Sequence, residues 1–147
     1  MSDMTPTYLI ESTVALGMRF MEDTGRLVLR VVLGVLILLH GISKIRGGIG
    51  FLTPMVQGIG LPPWVAYGAY LGEVLGPIMV IIGLFTRVGA FLIFSNMLFA
   101  LVLVHRGDLL TMSKQGGWAL ELQAMYLFTA LALMLMHPGR YAMTKRF

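Results

Sequence analysis

Residues 63–85 read PWVAYGAYLGEVLGPIMVIIGLF, Pro63 to Phe85, and the fold turns on this stretch. As a helix it is ~33 Å long, enough to cross a bilayer core. One charged side chain, Glu73, sits near its middle. A lone carboxylate in hydrocarbon is costly, so Glu73 must be neutral, paired or turned toward a polar interior. Gly68, Gly72 and Gly76 recur every four residues, a spacing that lets helix backbones approach closely. Pro77 follows Glu73 by four residues and offers no N–H to its carbonyl. A bend, a free carbonyl and a buried carboxyl are therefore expected at one place.

The rest of the chain agrees with a membrane class. Of its 147 residues, 57% are hydrophobic and 12% charged, with a mean hydropathy of +0.83. A soluble domain carries about 25% charged residues. One all-α integral membrane domain is the expected class. With no cysteine, the chain holds no disulfide, thiolate nucleophile or cysteine-ligated metal. The net charge of +4 is spread over loop ends, which suits membrane topology rather than nucleic acid. The 12 methionines are scattered, as packing residues are, and predict no metal site. No phosphate-cradling loop, nucleophile elbow or zincin motif is present.

Residues 1–23 lack the basic start of a secretory signal. Ile10, Val14, Met18 and Met21 recur at helical spacing, with Glu11, Arg19 and Glu22 elsewhere on the wheel. This predicts a short helix, Thr7–Met21, lying on the membrane surface. Residues 24–141 form the membrane domain of a four-helix bundle, with spans at about 26–45, 63–85, 88–105 and 118–136. A short interfacial piece is expected around Phe51–Gln57, and a tight turn around Thr86 and Arg87. Residues 142–147 are a basic tail. Seven basic residues (Arg19, Arg26, Arg30, Arg87, Arg140, Lys145, Arg146) fall on the side holding both termini, against four (Lys44, Arg46, Arg106, Lys114) on the other. That bias predicts cytoplasmic termini.

Candidate polar residues follow from the same helices. Arg30, Gly34, Gly41 and Lys44 share an arc of about 80° on the first span, with His40 about 40° from Lys44. Asn96 shares a face with Gly89 and Ala100, which suits a bond across a helix contact. His105 falls about 180° from Asn96, so the two need not meet. Glu121 lines a face with Met125, Phe128 and Ala132, and Trp118 suits an interfacial anchor. Antiparallel spans put His40, Lys44, His105 and Glu121 at one depth, Glu73 deeper, and Arg30 beyond it. A polar track from Glu121, His40 and Lys44 through Glu73 to Arg30 follows if these faces turn inward. Glu73 is expected to face the interior and meet a basic group, Lys44, His40 or Arg30. Depth puts His40 nearest. Lys44 lies about a turn further out with a long stem that reaches back, and Arg30 must reach from the opposite side. The bland alternative is that Arg30 and Lys44 anchor helix ends and Glu121 complements a helix dipole. Two histidines in the membrane helices, His40 and His105, with no further haem-site pattern, give little support to haem.

Taken in order, Arg30, His40-Gly41, Lys44, Gly60-Leu61-Pro62, Glu73, Gly83, Thr86-Arg87 and Pro138-Gly139-Arg140 resemble the DoxX family. The resemblance runs over about Leu27–Tyr141. His137 before Pro-Gly-Arg and Ala142-Met143 after it depart from the family's usual Gly and Leu-Asp. The resemblance implies a small four-helix protein of the bacterial or archaeal inner membrane. It also implies a link to quinone-coupled sulfur oxidation and to membrane oxidoreductase complexes. Without cysteine, any sulfur redox chemistry needs a partner or a bound quinone. The leading expectation is thus an oxidoreductase subunit or accessory, with partner redox proteins, a quinone as the candidate cofactor, and Glu73 exchanging a proton. A non-enzymatic scaffold, homo-oligomeric or not, and a small-solute or proton pathway are the alternatives.

Overall fold

The computed structural model describes residues 6–114 and 116–144, and among them it is all-helical, with no strand beyond an isolated bridge between Met112 and Trp118. The helices are α1 Pro6–Gly47, α2 Leu52–Gly58, α3 Pro63–Ile82, α4 Thr86–Leu103 and α5 Glu121–Leu135. Three of them, α1, α3 and α4, are long and apolar enough to cross a membrane. The fourth apolar segment is shorter than its sequence suggests, because α5 has 15 helical residues. Trp118 lies outside the helix, in the preceding loop, with Nε1 donating to the Leu109 carbonyl at 2.9 Å.

The N-terminal half departs from expectation. No break separates Thr7–Met21 from the first span; α1 runs on for 42 residues, ~63 Å. No proline interrupts it, and Arg26 bridges Glu22 and Asp23 at 3.2 and 3.1 Å across the expected boundary. Ile10, Val14, Met18 and Met21 are all exposed. Residues 1–5 of that expected segment, and Lys145, Arg146 and Phe147 of the tail, lie outside the described residues. The α3–α4 turn also falls earlier than expected. Gly83 adopts a left-handed φ of 81°, which ends α3 at Ile82, and Thr86 already begins α4. The piece expected at Phe51–Gln57 is α2, with Leu52 and Val56 buried.

The main packing pairs are α1 with α3 and α5, and α4 with α3 and α5. The arc of small and basic residues on α1 is its seam with α3. A Cβ on Gly34 would strike Ile81, and one on Gly41 would strike the Glu73 carbonyl. On the opposite side of α3, a Cβ on Gly72 would strike Asn96, and Gly76 faces the carbonyl of Gly89. Gly68 has nothing near it, so only two of the three periodic glycines form the α3–α4 contact. Ile37, Val80, Ile93, Ala130 and Leu133 fill the core between these helices.

This geometry sets one expectation for stability. Gly72→Leu and Gly76→Leu should each cost about 1–3 kcal/mol by overpacking. Gly17→Leu should cost little, since nothing lies within 4 Å of a Cβ there. Thermal unfolding in one detergent tests this, and equal midpoints for all three variants would contradict the seam.

Candidate functional site

Glu73 is built into a distorted turn. Its carbonyl cannot bond a proline nitrogen four residues on. The backbone responds by widening to a π turn over Leu71–Leu75, in which the Gly76 N–H bonds the Leu71 carbonyl five residues back. The Glu73 carbonyl faces Gly41, where the missing side chain lets α1 close in. Glu73 as a whole is only 3% exposed.

Its partners come from two other helices. Lys44 Nζ on α1 donates to Glu73 Oε1. Asn96 Nδ2 on α4 donates to the same oxygen at 3.0 Å. Glu73 Oε2 is buried and has no hydrogen-bond partner among the described residues. Lys44 also stands 6.0 Å from the centre of the Phe51 ring, and Tyr70 Oη donates to the Lys44 carbonyl at 3.3 Å. The pair is asymmetric: the lysine side chain keeps 21% exposure and the glutamate side chain 4%. Removing either charge would leave the other without its counter-ion in a poorly solvated place.

A cavity of about 440 Å³ opens over this pair. Its walls are mostly apolar and come from all five helices; Leu52 and Val56 of α2 cover part of it. His40, Lys44, Glu73, Asn96 and His105 all line it. His105 reaches it because α4 ends at Leu103, so the ideal wheel no longer governs its direction. The volume lies in the usual range for small-ligand sites, and a few polar groups in an apolar wall are the usual recognition pattern.

Two expected members lie elsewhere. Arg30 is buried, but it is at the far end of α3 and pairs with no carboxylate among the described residues. It donates to the carbonyls of Val80 at 2.9 Å, Pro138 at 3.0 Å and Ile81 at 3.2 Å. It therefore caps the last turn of α3 and ties the Pro138-Gly139-Arg140 turn to it. Glu121 is exposed at the start of α5 and is absent from the cavity wall. Of the three bases expected for Glu73, Lys44 is the partner and His40, the nearest by depth, is not. His40 turns toward α5, where its ring meets Tyr126 edge-on at 6.1 Å, and its Nδ1 is taken by the Leu36 carbonyl at 2.9 Å.

Three lining residues went unnoticed in sequence: Ser95, Gln123 and Tyr126. Gln123 carried the same signal as Asn96, an amide within an apolar helix. Its Oε1 is buried without a partner among the described residues, like Glu73 Oε2.

Long apolar helices around a buried ion pair and a lined cavity define a small α-helical membrane protein. The chain belongs to the DoxX family, whose sequence model matches residues 25–106. That match takes in Arg30, Lys44, Glu73 and Asn96 and stops short of α5. The chain is similar to a Bacillus subtilis (strain 168) protein named "Putative oxidoreductase CatD", 37% identical over 82 residues, 56% of this chain and 56% of that protein. It is also 30% identical over 125 residues to an uncharacterized protein of Haemophilus influenzae, covering 81% of this chain and 87% of that protein. No solved structure matches the chain.

Proposed function

We propose that this protein is a membrane subunit or accessory of an oxidoreductase and that its cavity binds a quinone headgroup. The observation that carries the reading is a mostly apolar cavity of about 440 Å³ lined by Glu73, a carboxylate whose Oε2 is buried without a partner among the described residues. Such an oxygen is costly unless something donates to it. A bound quinone would supply two-electron, two-proton chemistry. Glu73 would hold or release a proton at Oε2, while Lys44 and Asn96 fix Oε1 and orient the carboxyl. The apolar walls, from Ile37 to Phe99, exclude water and suit an isoprenoid-bearing ring. The name of the Bacillus relative supports an oxidoreductase context. Protein purified in mild detergent should show a quinone ultraviolet band that changes on borohydride reduction, approaching one per chain. A spectrum unchanged by reductant would overturn the reading.

In the membrane we place four spans as a bundle, α5 being the fourth, with both termini on the cytoplasmic side of a bacterial or archaeal inner membrane. The seven-to-four distribution of basic residues supports this orientation. The exposed Ile10, Val14, Met18 and Met21 suit the cytoplasmic interface, with residues 1–23 as an interfacial segment. Protease-cleavable tags on residues 1 and 147 should be cut from the same side of oriented vesicles. Cutting from opposite sides would rule out an even number of spans.

A further inference from the structure

Residues 46–63 read RGGIGFLTPMVQGIGLPP, with glycines crowded on both sides of α2. Gly48 and Gly60 take left-handed φ values of 78° and 80° and make the turns. A Cβ on Gly47, Gly50 or Gly58 would meet nothing within 4 Å, so no neighbouring backbone requires a glycine there. Those three leave the linkers loose. The segment between the linkers is self-contained. α2 carries no charge, and no side chain caps its start. Its end bonds close on the segment itself: the Leu52 N–H donates to the Ile49 carbonyl at 2.9 Å, the Gly60 N–H to Gln57 at 2.9 Å and the Leu61 N–H to Val56 at 3.2 Å. Apolar contact is what holds it down. Ile49, Leu52 and Val56 bury against Ala66 and Ala69 of α3, with Leu103 and Val104 beside them, in a cluster separate from the main core. Phe51, Leu52 and Val56 also form the wall that this segment gives to the cavity. The same contacts therefore fasten the segment and close the cavity.

We propose that residues 49–61 are a lid, hinged at the glycines on either side, which lifts off the start of α3 to admit a ligand to the Glu73 cavity. Entry is then at the end of α3 remote from the Gly83 turn. Lifting parts one small apolar cluster and leaves the main core packed, so it is a local opening that precedes global unfolding. The lid rests on packing alone. That a quinone-class ring is what enters beneath it rests on the reading above.

The chain has no cysteine, so one introduced thiol reports one place. Val56 and Val80 are both 0% exposed, the first under the lid and the second in the main core. In the full-length protein in nanodiscs, N-ethylmaleimide should label Val56→Cys at least about tenfold faster than Val80→Cys, which waits for global unfolding. Leu52→Cys should behave like Val56→Cys, and it keeps the test if that variant misfolds. Gly47→Ala combined with Gly58→Ala fits the closed form and takes freedom from the open one, so it should slow labelling of Val56→Cys about threefold. Saturating duroquinone should slow it as well, by filling the cavity beneath the lid. Equal labelling of the two buried thiols overturns the lid, and a rate that the paired alanines leave unmoved overturns its hinges. Fast labelling that duroquinone does not slow keeps the lid and counts against the quinone-class reading alone.

Discussion

Glu73→Gln is expected to lower stability by about 2–3 kcal/mol and to abolish ligand binding while the chain still folds. Glutamine keeps an Oε1 that accepts from Asn96, so the α3–α4 bond survives. It carries no charge, so Lys44 loses its counter-ion. A fully enclosed orphan charge costs about 3–5 kcal/mol. The expected loss is smaller because the Lys44 side chain keeps 21% exposure and a long stem that reaches outward. Lys44→Met placed on top of Glu73→Gln should return most of the loss, since the stranded cation is then gone. Chemical denaturation of the two single variants and the double variant measures this coupling. A double variant no more stable than Glu73→Gln alone would show that the charge pair is not what holds this region. Full activity of Glu73→Gln in a null strain at normal expression would end its role in proton exchange.

The second large effect is expected at Arg30. Its side chain is buried, and its three donor groups bind three backbone carbonyls. No carboxylate among the described residues compensates it; the C-terminal end of α3 does, through the negative end of the helix dipole. Arg30→Met leaves the Val80, Ile81 and Pro138 carbonyls short of a donor in a place that water reaches poorly. Each such loss costs about 1–3 kcal/mol, and because the three share one network the total is expected near 3–5 kcal/mol. Arg30→Lys should recover little, since an ammonium cannot span the fork that the guanidinium fills. The damage should appear first at the C-terminal segment. That segment folds back on the α3–α4 turn, with Thr144 N–H donating to the Gly83 carbonyl at 3.1 Å and Ala142 buried against Gly83. Limited proteolysis should therefore cut near 137–144 in Arg30→Met before the helices melt. Wild-type melting and wild-type protease resistance in this variant would contradict the clamp.

Much of this architecture was legible because its signals are local. Hydropathy marked the apolar segments, and small-residue spacing marked Gly72 and Gly76 as a seam. Pro77 four residues after Glu73 marked the distorted turn that the backbone adopts there. Asn96 as an interhelical bond followed from the cost of an unsatisfied amide in an apolar helix. What escaped depends on direction or on backbone. Depth along a helix does not say which way a ring turns, so His40 looked nearer to Glu73 than Lys44 did. Arg30 was grouped with the charges because its partners are carbonyls, which no residue pattern displays. The continuity of α1 was missed because a bilayer-length limit was imposed on a stretch with no helix breaker. Gln123 gives the same signal as Asn96, an amide in an apolar helix, but its helix holds no glycine to mark a contact face.

The central claim is that the cavity over Glu73 holds a quinone-class ligand, and native mass spectrometry of gently solubilised protein tests it most directly. Wild type should carry an adduct of quinone mass, about one per chain. Ala69→Phe fills the cavity from a buried position on its wall and should lose that adduct while phospholipid adducts remain. A wild-type chain carrying only phospholipid, or a quinone adduct that Ala69→Phe leaves in place, would contradict the claim.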